Sequence, residues 1–262
     1  MHRYFIFLAY DGTLYHGWQY QPNALSVQEE LEKILGLLLK KPVKIVGAGR
    51  TDTGVHARLM AAHMDLEEEI DCDWLAFKLN CLLPKDISVY TVVPVTREAH
   101  ARFSALSRTY HYYIYLHKDP FLRPYSCRLY YTLDFERMNE AADLLKKHTD
   151  FGSFCKAGSD NKTNLCSISQ ARWVQQGPFS GFFEIKADRF LRNMVRAIVG
   201  TLVDVGTGRL SLKGFEQVIE AGDRRAGGES MPANGLFLDN IEYPKDIFLT
   251  DEVEQLLKSL GS

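Results

Sequence analysis

An α+β fold in two related halves is what the sequence predicts, and three observations predict it. Apolar residues alternate at a period of two in some runs and recur at 3.6 in others, and these runs spell strand, helix, strand, strand, helix, strand twice over, the second time with one extra helix before the last strand. Most of the helical runs carry one apolar face, so in each half helices cover one side of a sheet and leave the other free. A glycine-rich turn with a single carboxylate, Val46-Gly47-Ala48-Gly49-Arg50-Thr51-Asp52-Thr53-Gly54-Val55-His56-Ala57, joins two strand candidates of the first half. That element order is ferredoxin-like, or RRM-like, with mixed and mainly antiparallel sheets. The expected subdomains are residues 1–105 and 106–262, with an active-site cleft between them. No residue-level repeat accompanies the duplication, which rests on element order alone.

In the first half, Arg3 to Tyr10 alternates and is aromatic, as a half-buried strand is, and Asp11-Gly12-Thr13 ends it. The next loop holds Tyr15, His16, Trp18 and Tyr20, rings that either face flat partners such as bases or, for Trp18, cap the core. Ser26-Val27-Gln28-Glu29 is a capping box, and Val27, Leu31, Ile34, Leu35 and Leu38 then share one helical face until Pro42. Val43 to Val46 runs into the Asp52 turn and Ala57 to Met64 runs out of it, so a sheet holds both ends. Asp73 opens a second helix with Trp74, Phe77 and Cys81 inward, and Ile87 to Val95 closes the half as a strand.

Thr96 to Arg108 joins the halves and carries Arg97, His100, Arg102 and Arg108, with Phe103 among small residues, either a backbone-contact strip or a solvated linker. Arg108 to Tyr115 is a strand with Tyr110 and Tyr112 on one face and His111, Tyr113 and Tyr115 on the other, one face core and one open. After a loop with Pro and Arg at 118–128, Asp134 to His148 is a helix with Phe135, Met138, Ala142 and Leu145 inward. The polar stretch 156–164 has the length of a lid, and also of an ordinary surface loop. Strands follow at 167–175 and 182–187. Phe190 to Val203 is a helix apolar nearly all round, with Arg189, Arg192 and Arg196 on one stripe. A partly buried guanidinium such as that of Arg196 needs an anion, either a structural carboxylate or a functional one. Helix 211–221 ends at Gly222, and 223–230, with Arg224 and Arg225, reads as a flexible basic loop suited to phosphate. The strand 236–243 and a short final helix capped by Thr250 complete the chain.

Composition narrows the function. At 262 residues and 46% hydrophobic the chain is globular, and its net charge of −2 gives no global sign of nucleic-acid binding, although one cleft of a neutral protein can still be positive. No run approaches transmembrane length, and the short apolar run at the amino end lacks a cleavage site, so a cytoplasmic protein without membrane contact is expected. Five scattered cysteines form neither a C-x-x-C pair nor a disulfide framework, and no metal is expected. A dinucleotide fingerprint beginning at Gly47 and Gly49 would need a third glycine where Asp52 stands, and no P-loop occurs, so no nucleotide cofactor is implied. The signatures of a zinc-dependent base deaminase are missing as well. What stands out is Asp52, which Arg50, Thr51 and Thr53 surround with a cation and hydroxyl groups that favour its ionised form; the plainer alternative is a polar turn.

Across nearly its whole length the chain resembles the tRNA pseudouridine synthase A (TruA) family. The motifs, in the family's order, are Gly49 to Ala57, Arg102-Phe103-Ser104-Ala105 through Arg108-Thr109-Tyr110, Asp150-Phe151-Gly152-Ser153-Phe154, Phe190-Leu191-Arg192-Asn193-Met194-Val195-Arg196, and Pro232-Ala233-Asn234-Gly235-Leu236. None departs at a catalytic position. The resemblance implies isomerisation of uridine to pseudouridine at positions 38 to 40 of tRNA, in the anticodon stem-loop, without cofactor or metal, by a homodimer. It implies that Asp52 acts at the sugar as nucleophile or base, that Arg196 pairs with it, and that Tyr110 stacks on the uracil. Arg50, Arg102, Arg108, Arg192, Arg224 and Arg225 are the expected RNA contacts, with arginines around residue 123. A synthase for another RNA and a non-catalytic RNA-binding module are the alternatives.

Overall fold

Strand β1 (His2–Tyr10) is central to the first half of the chain. It pairs antiparallel with β3 (His56–Leu66) on one side and with β4 (Ile87–Val95) on the other, Phe5 standing opposite His63 and Val93. The computed structural model describes residues 1–159 and 162–250, and they form two units: Met1–Leu106 with the chain from Leu238 onward, and Ser107–Phe237.

In the first unit the strand order is β4-β1-β3-β9, with β2 (Ile45–Gly47) added on β3 and β9 (Leu236–Glu242) beginning just before the division at Leu238. Helix α1 (Val27–Leu39) starts where the capping box predicts, Ser26 accepting from the Glu29 amide at 3.2 Å, and buries Val27, Leu31, Ile34 and Leu35. Its end is set by Lys40, in the left-handed conformation at φ 53°, two residues before Pro42. Strand β1 is not half-buried: Tyr4 to Leu8 are all within the core. The rings of Phe5 and Phe7 meet those of Tyr243 and Phe248, so the returning end of the chain covers a face that element order leaves free.

Helix α2 (Cys72–Leu82) corrects the sequence reading. Its cap is Asp71, which accepts from the Trp74 amide, and it turns Leu75 and Leu79 inward while Phe77, Trp74 and Cys81 are exposed. Apolar residues lie on more than one side of this helix, so the pattern admits two faces. Packing against β4 selects the i, i+4 leucine pair.

The second unit is built on β5 (Ser107–Tyr115), β8 (Ser180–Ala187) and β7 (Ile168–Gln175), paired antiparallel in that order, with the two-residue strand β6 (Cys127–Arg128) parallel on β5. Along β5 the burial follows the expected faces only in part: Tyr112 and Ile114 are buried and His111 and Tyr113 half-buried, but Tyr115 is buried with the core and Tyr110 is half-buried. Helix α3 (Phe135–Leu145) packs on β7, α4 (Met194–Gly206) and α5 (Leu212–Ala221). The second unit thus has the extra helix that its sequence spells and adds only the short strand β6, and the strand pairing is mixed and mainly antiparallel.

Helix α4 begins at Met194, not at Phe190. Asn193 holds the left-handed conformation at φ 67°, which no helix continues through. Arg189 and Arg192 therefore precede the helix and do not share a helical stripe with Arg196. The expected final helix lies outside the described residues, as do two positions of the 156–164 stretch. Among the described residues no helix is long and apolar enough to cross a membrane.

Candidate active site

The Asp52 turn is held from three sides. Strand β2 enters and β3 leaves in antiparallel register, Gly47 opposite Ala62, and the Ala48 amide donates to Ala61 O at 2.8 Å. The turn closes on itself where the Val55 amide donates to Asp52 O at 3.1 Å. Thr51, buried, places its hydroxyl 2.9 Å from the hydroxyl of Tyr10 at the end of β1. Asp52 itself is half-buried, between buried Thr51 and exposed Thr53.

The third side is the 11–18 loop, which lies directly against the turn. A Cβ at Gly12 would stand 2.0 Å from Val55 O, and one at Gly17, whose φ is +90°, would stand 2.2 Å from Thr51 O. Only glycine allows this approach of backbone to backbone. The Gly54 amide donates to Tyr15 O at 3.2 Å, and the Gly12 amide to His56 Nδ1 at 3.0 Å. Asp11 Oδ1 lies 3.0 Å from the same His56 nitrogen, and the ring is almost wholly buried. Asp52 is thus carried by a multiply bonded frame.

Of the four rings at positions 15–20, two are not available to a partner. Trp18 is buried against Gly47, and Tyr15 is buried with its hydroxyl donating to Asp86 at 2.7 Å; burial, and then that hydrogen bond, raises the phenol well above its usual range. His16 and Tyr20 are exposed. Arg50 is exposed at the turn, and Arg102 is exposed beside the outward ring of Phe103, 5.6 Å from its centre.

In the second unit Tyr110 lies on β5 opposite Ile185, half-buried, its ring edge-on to Phe190 at 5.0 Å. Arg108 donates to Asp188 O at 2.7 Å, and Arg192 is exposed before α4. Arg196, half-buried on α4, donates from Nε to Met231 O at 2.6 Å, while the Met231 amide donates back to Arg196 O at 3.1 Å.

That exchange belongs to a larger fastening that corrects the view of 223–230 as a flexible loop. Ser230 Oγ accepts from Asn193 Nδ2 at 2.6 Å and from Arg224 at 2.9 Å, and the Gly228 amide donates to Thr201 Oγ1 at 2.9 Å. Arg224 also donates to Gly227 O at 3.2 Å, whereas Arg225 is exposed and forks onto Asp223, holding that carboxyl down to about 2. Small residues on α4 let the loop lie flat on it: a Cβ at Gly200 would meet Glu229 O at 1.9 Å. Met231 and Ser230 were not singled out by sequence, because a main-chain acceptor and a small hydroxyl have no distinctive pattern. The spacing of Gly12 and Gly17 before Trp18 was legible in principle.

A family model described as tRNA pseudouridine synthase matches residues 6–104 and 141–244. The chain belongs to this tRNA pseudouridine synthase family. It is 56% identical over 262 residues to the tRNA pseudouridine synthase A of Bacteroides thetaiotaomicron, covering 99% of this chain and 97% of that one. The Bacteroides fragilis protein of the same name is 57% identical over 94% of this chain and 98% of its own, and that of Bacillus licheniformis is 41% identical over 90% and 97%. As a member of the tRNA pseudouridine synthase family the protein is an RNA pseudouridine synthase, an isomerase. The framed Asp52 turn lies inside the first matched stretch, and Arg196 with its fastened loop inside the second.

Proposed function

We propose that this synthase converts uridine to pseudouridine at positions 38, 39 and 40 of tRNA, in the anticodon stem-loop, and that Asp52 is the group acting at the sugar. The observation that carries the reading is the frame around Asp52: Gly12, Gly17 and the Thr51–Tyr10 hydroxyl pair fix one half-buried carboxylate on a turn anchored in a sheet. The names of the relatives support tRNA as the substrate.

The reaction breaks the bond between uracil N1 and the anomeric carbon, turns the base, joins C5 to that carbon and releases the C5 proton. Asp52 serves it either by attack on the anomeric carbon or by removing a sugar proton to give a glycal. Arg196 acts as its cationic partner, and Tyr110 stacks on the uracil and helps remove the C5 proton. The uridine leaves its stem to react, at a cost of about a few kcal/mol, and contacts to the phosphate backbone offset it. Arg50, Arg102, Arg108, Arg192, Arg224 and Arg225 are the candidate contacts, in a cytoplasmic homodimer in which one tRNA touches both subunits and no metal or cofactor takes part.

Tritium release from a tRNA transcript labelled at uridine C5 tests this. Wild type releases tritium with no metal added, Asp52→Asn binds the same tRNA without release, and mapping of the product finds the modified residue at 38, 39 or 40. Release by Asp52→Asn at the wild-type rate would overturn the role of Asp52, and modification confined to another RNA would overturn the substrate.

A further inference from the structure

The segment between β5 and α3 lies outside the two stretches matched by the family model, 6–104 and 141–244. Cys127-Arg128-Leu129-Tyr130 runs extended along β5, with Ile114 opposite Cys127, Tyr115 opposite Arg128, and the Leu129 amide donating to Tyr115 O at 2.9 Å. Extended chain alternates its side chains, so Cys127 and Leu129 are buried and Arg128 and Tyr130 share the other face. The Arg128 guanidinium consequently lies over the Tyr130 ring, 4.6 Å from its centre, while the ring remains 74% exposed. The preceding turn is pinned, since Asn234 Nδ2 donates to Arg123 O at 3.1 Å and to Ser126 O at 3.0 Å. This is a presented surface on an ordered segment.

One feature of Arg128 points to an anion: among the described residues it has no carboxylate partner. Its Nε is sealed inside the protein, so an anion from outside meets the terminal nitrogens of this half-buried guanidinium, whose charge no acidic side chain balances. A neighbouring pair shows the contrast: Arg209 also lies over a tyrosine, 5.0 Å from the centre of Tyr131, but Asp204 neutralises it at 2.7 Å. Residues 117–131 add Lys118 and Arg123 to Arg128, against Asp119 alone, so the surface is net positive.

From these contacts we infer that Arg128 and Tyr130 bind one nucleotide of the RNA substrate, Tyr130 stacking on its base and Arg128 taking its phosphate. An exposed ring supplies sequence-tolerant stacking, a guanidinium beside it supplies charge, and RNA is the polyanion this enzyme class handles. The inference rests on tRNA being the substrate.

The test is binding and turnover of full-length unmodified tRNA by the intact protein, wild type against Tyr130→Ala, Tyr130→Phe and Arg128→Gln, each at several salt concentrations. Tyr130→Ala binds about tenfold more weakly, and Tyr130→Phe stays within about twofold of wild type because the ring is kept. Arg128→Gln lowers the slope of log K against log salt by about one, and raises KM with kcat unchanged. Tyr130 is exposed enough for its variants to fold, which keeps the test sound if Arg128→Gln does not. Affinity and salt slope unchanged in both Tyr130→Ala and Arg128→Gln would overturn the inference, as would loss of self-association in Tyr130→Ala with tRNA binding intact. A wild-type protein that binds no tRNA would instead remove the substrate reading, and this inference with it.

Discussion

The peptide backbone of Gly17 lies so close to that of Thr51 that a methyl group on Gly17 would stand 2.2 Å from the Thr51 carbonyl oxygen. Thr51 immediately precedes Asp52, so the contact transmits the position of the 11–18 loop to the carboxylate. Backbone cannot swing aside as a long side chain can, and Gly17 also holds φ +90°.

Gly17→Ala is therefore expected to cost about 2 kcal/mol or more and to lower kcat by at least about tenfold, through displacement of the Asp52 turn. Thermal melts and single-turnover rates on tRNA measure the two effects separately. Gly49→Ala is the control within the same motif: nothing lies within 4 Å of its added carbon and its φ is not positive, so stability stays within about 0.5 kcal/mol of wild type. Equal losses for both substitutions would refute the frame as described.

At the start of α4 the order of two substitutions is fixed by physics. Asn193→Gly keeps the left-handed backbone but removes the 2.6 Å bond to Ser230 Oγ, a loss of about 1 kcal/mol. Asn193→Ala loses the same bond and adds about 1 kcal/mol of backbone strain at φ 67°. Melting temperatures should fall in the order wild type, Gly, Ala. An alanine variant as stable as the glycine one would show that the strain is not real.

Much of this fold was legible because its local rules agree with its packing. The Ser26 cap and the glycine-flanked turn each specify their element without help from distant residues. The failures came where a distant segment decides. Nothing within Arg3 to Tyr10 announces that Tyr243 and Phe248 cover it, and nothing before Met194 except a left-handed Asn193 announces a late helix start. At the candidate site, Asp52 and Arg196 stood out as polar groups in unusual company. Their supports did not, since Gly17, Met231 and Ser230 act through backbone space and small acceptors.

Helix α2 turns one such failure into a measurement. Leu79 is fully buried, so Leu79→Ala is expected to cost about 2–5 kcal/mol, whereas Phe77, 63% exposed, should tolerate serine within about 0.5 kcal/mol. Urea unfolding of the two variants decides between this face and the one that places Trp74, Phe77 and Cys81 inward, for which the ranking reverses.

The acid side of the stability profile should be governed by His63. Burial, then the neighbouring His100 and Arg3, lowers its pKa from 6.5 to about 4, and its Nδ1 accepts from the Ala101 amide at 3.2 Å, which only the unprotonated nitrogen can do. The unfolded chain therefore binds a proton between pH 6.5 and about 4 that the folded chain refuses. Stability is full above that window, falls by about 3 kcal/mol as pH drops through it, and takes no further loss from this group below it. His100, lowered chiefly by burial, adds to the same trend. Asp65 acts lower down, because the hydrogen bond from Arg3 holds its carboxyl below the usual range, and its contribution disappears only as pH falls through that depressed value. Urea midpoints measured from pH 7 to 4 should decline for wild type. They should decline less for His63→Gln, whose amide oxygen can still accept from Ala101; an unchanged decline in that variant would assign the loss to other groups.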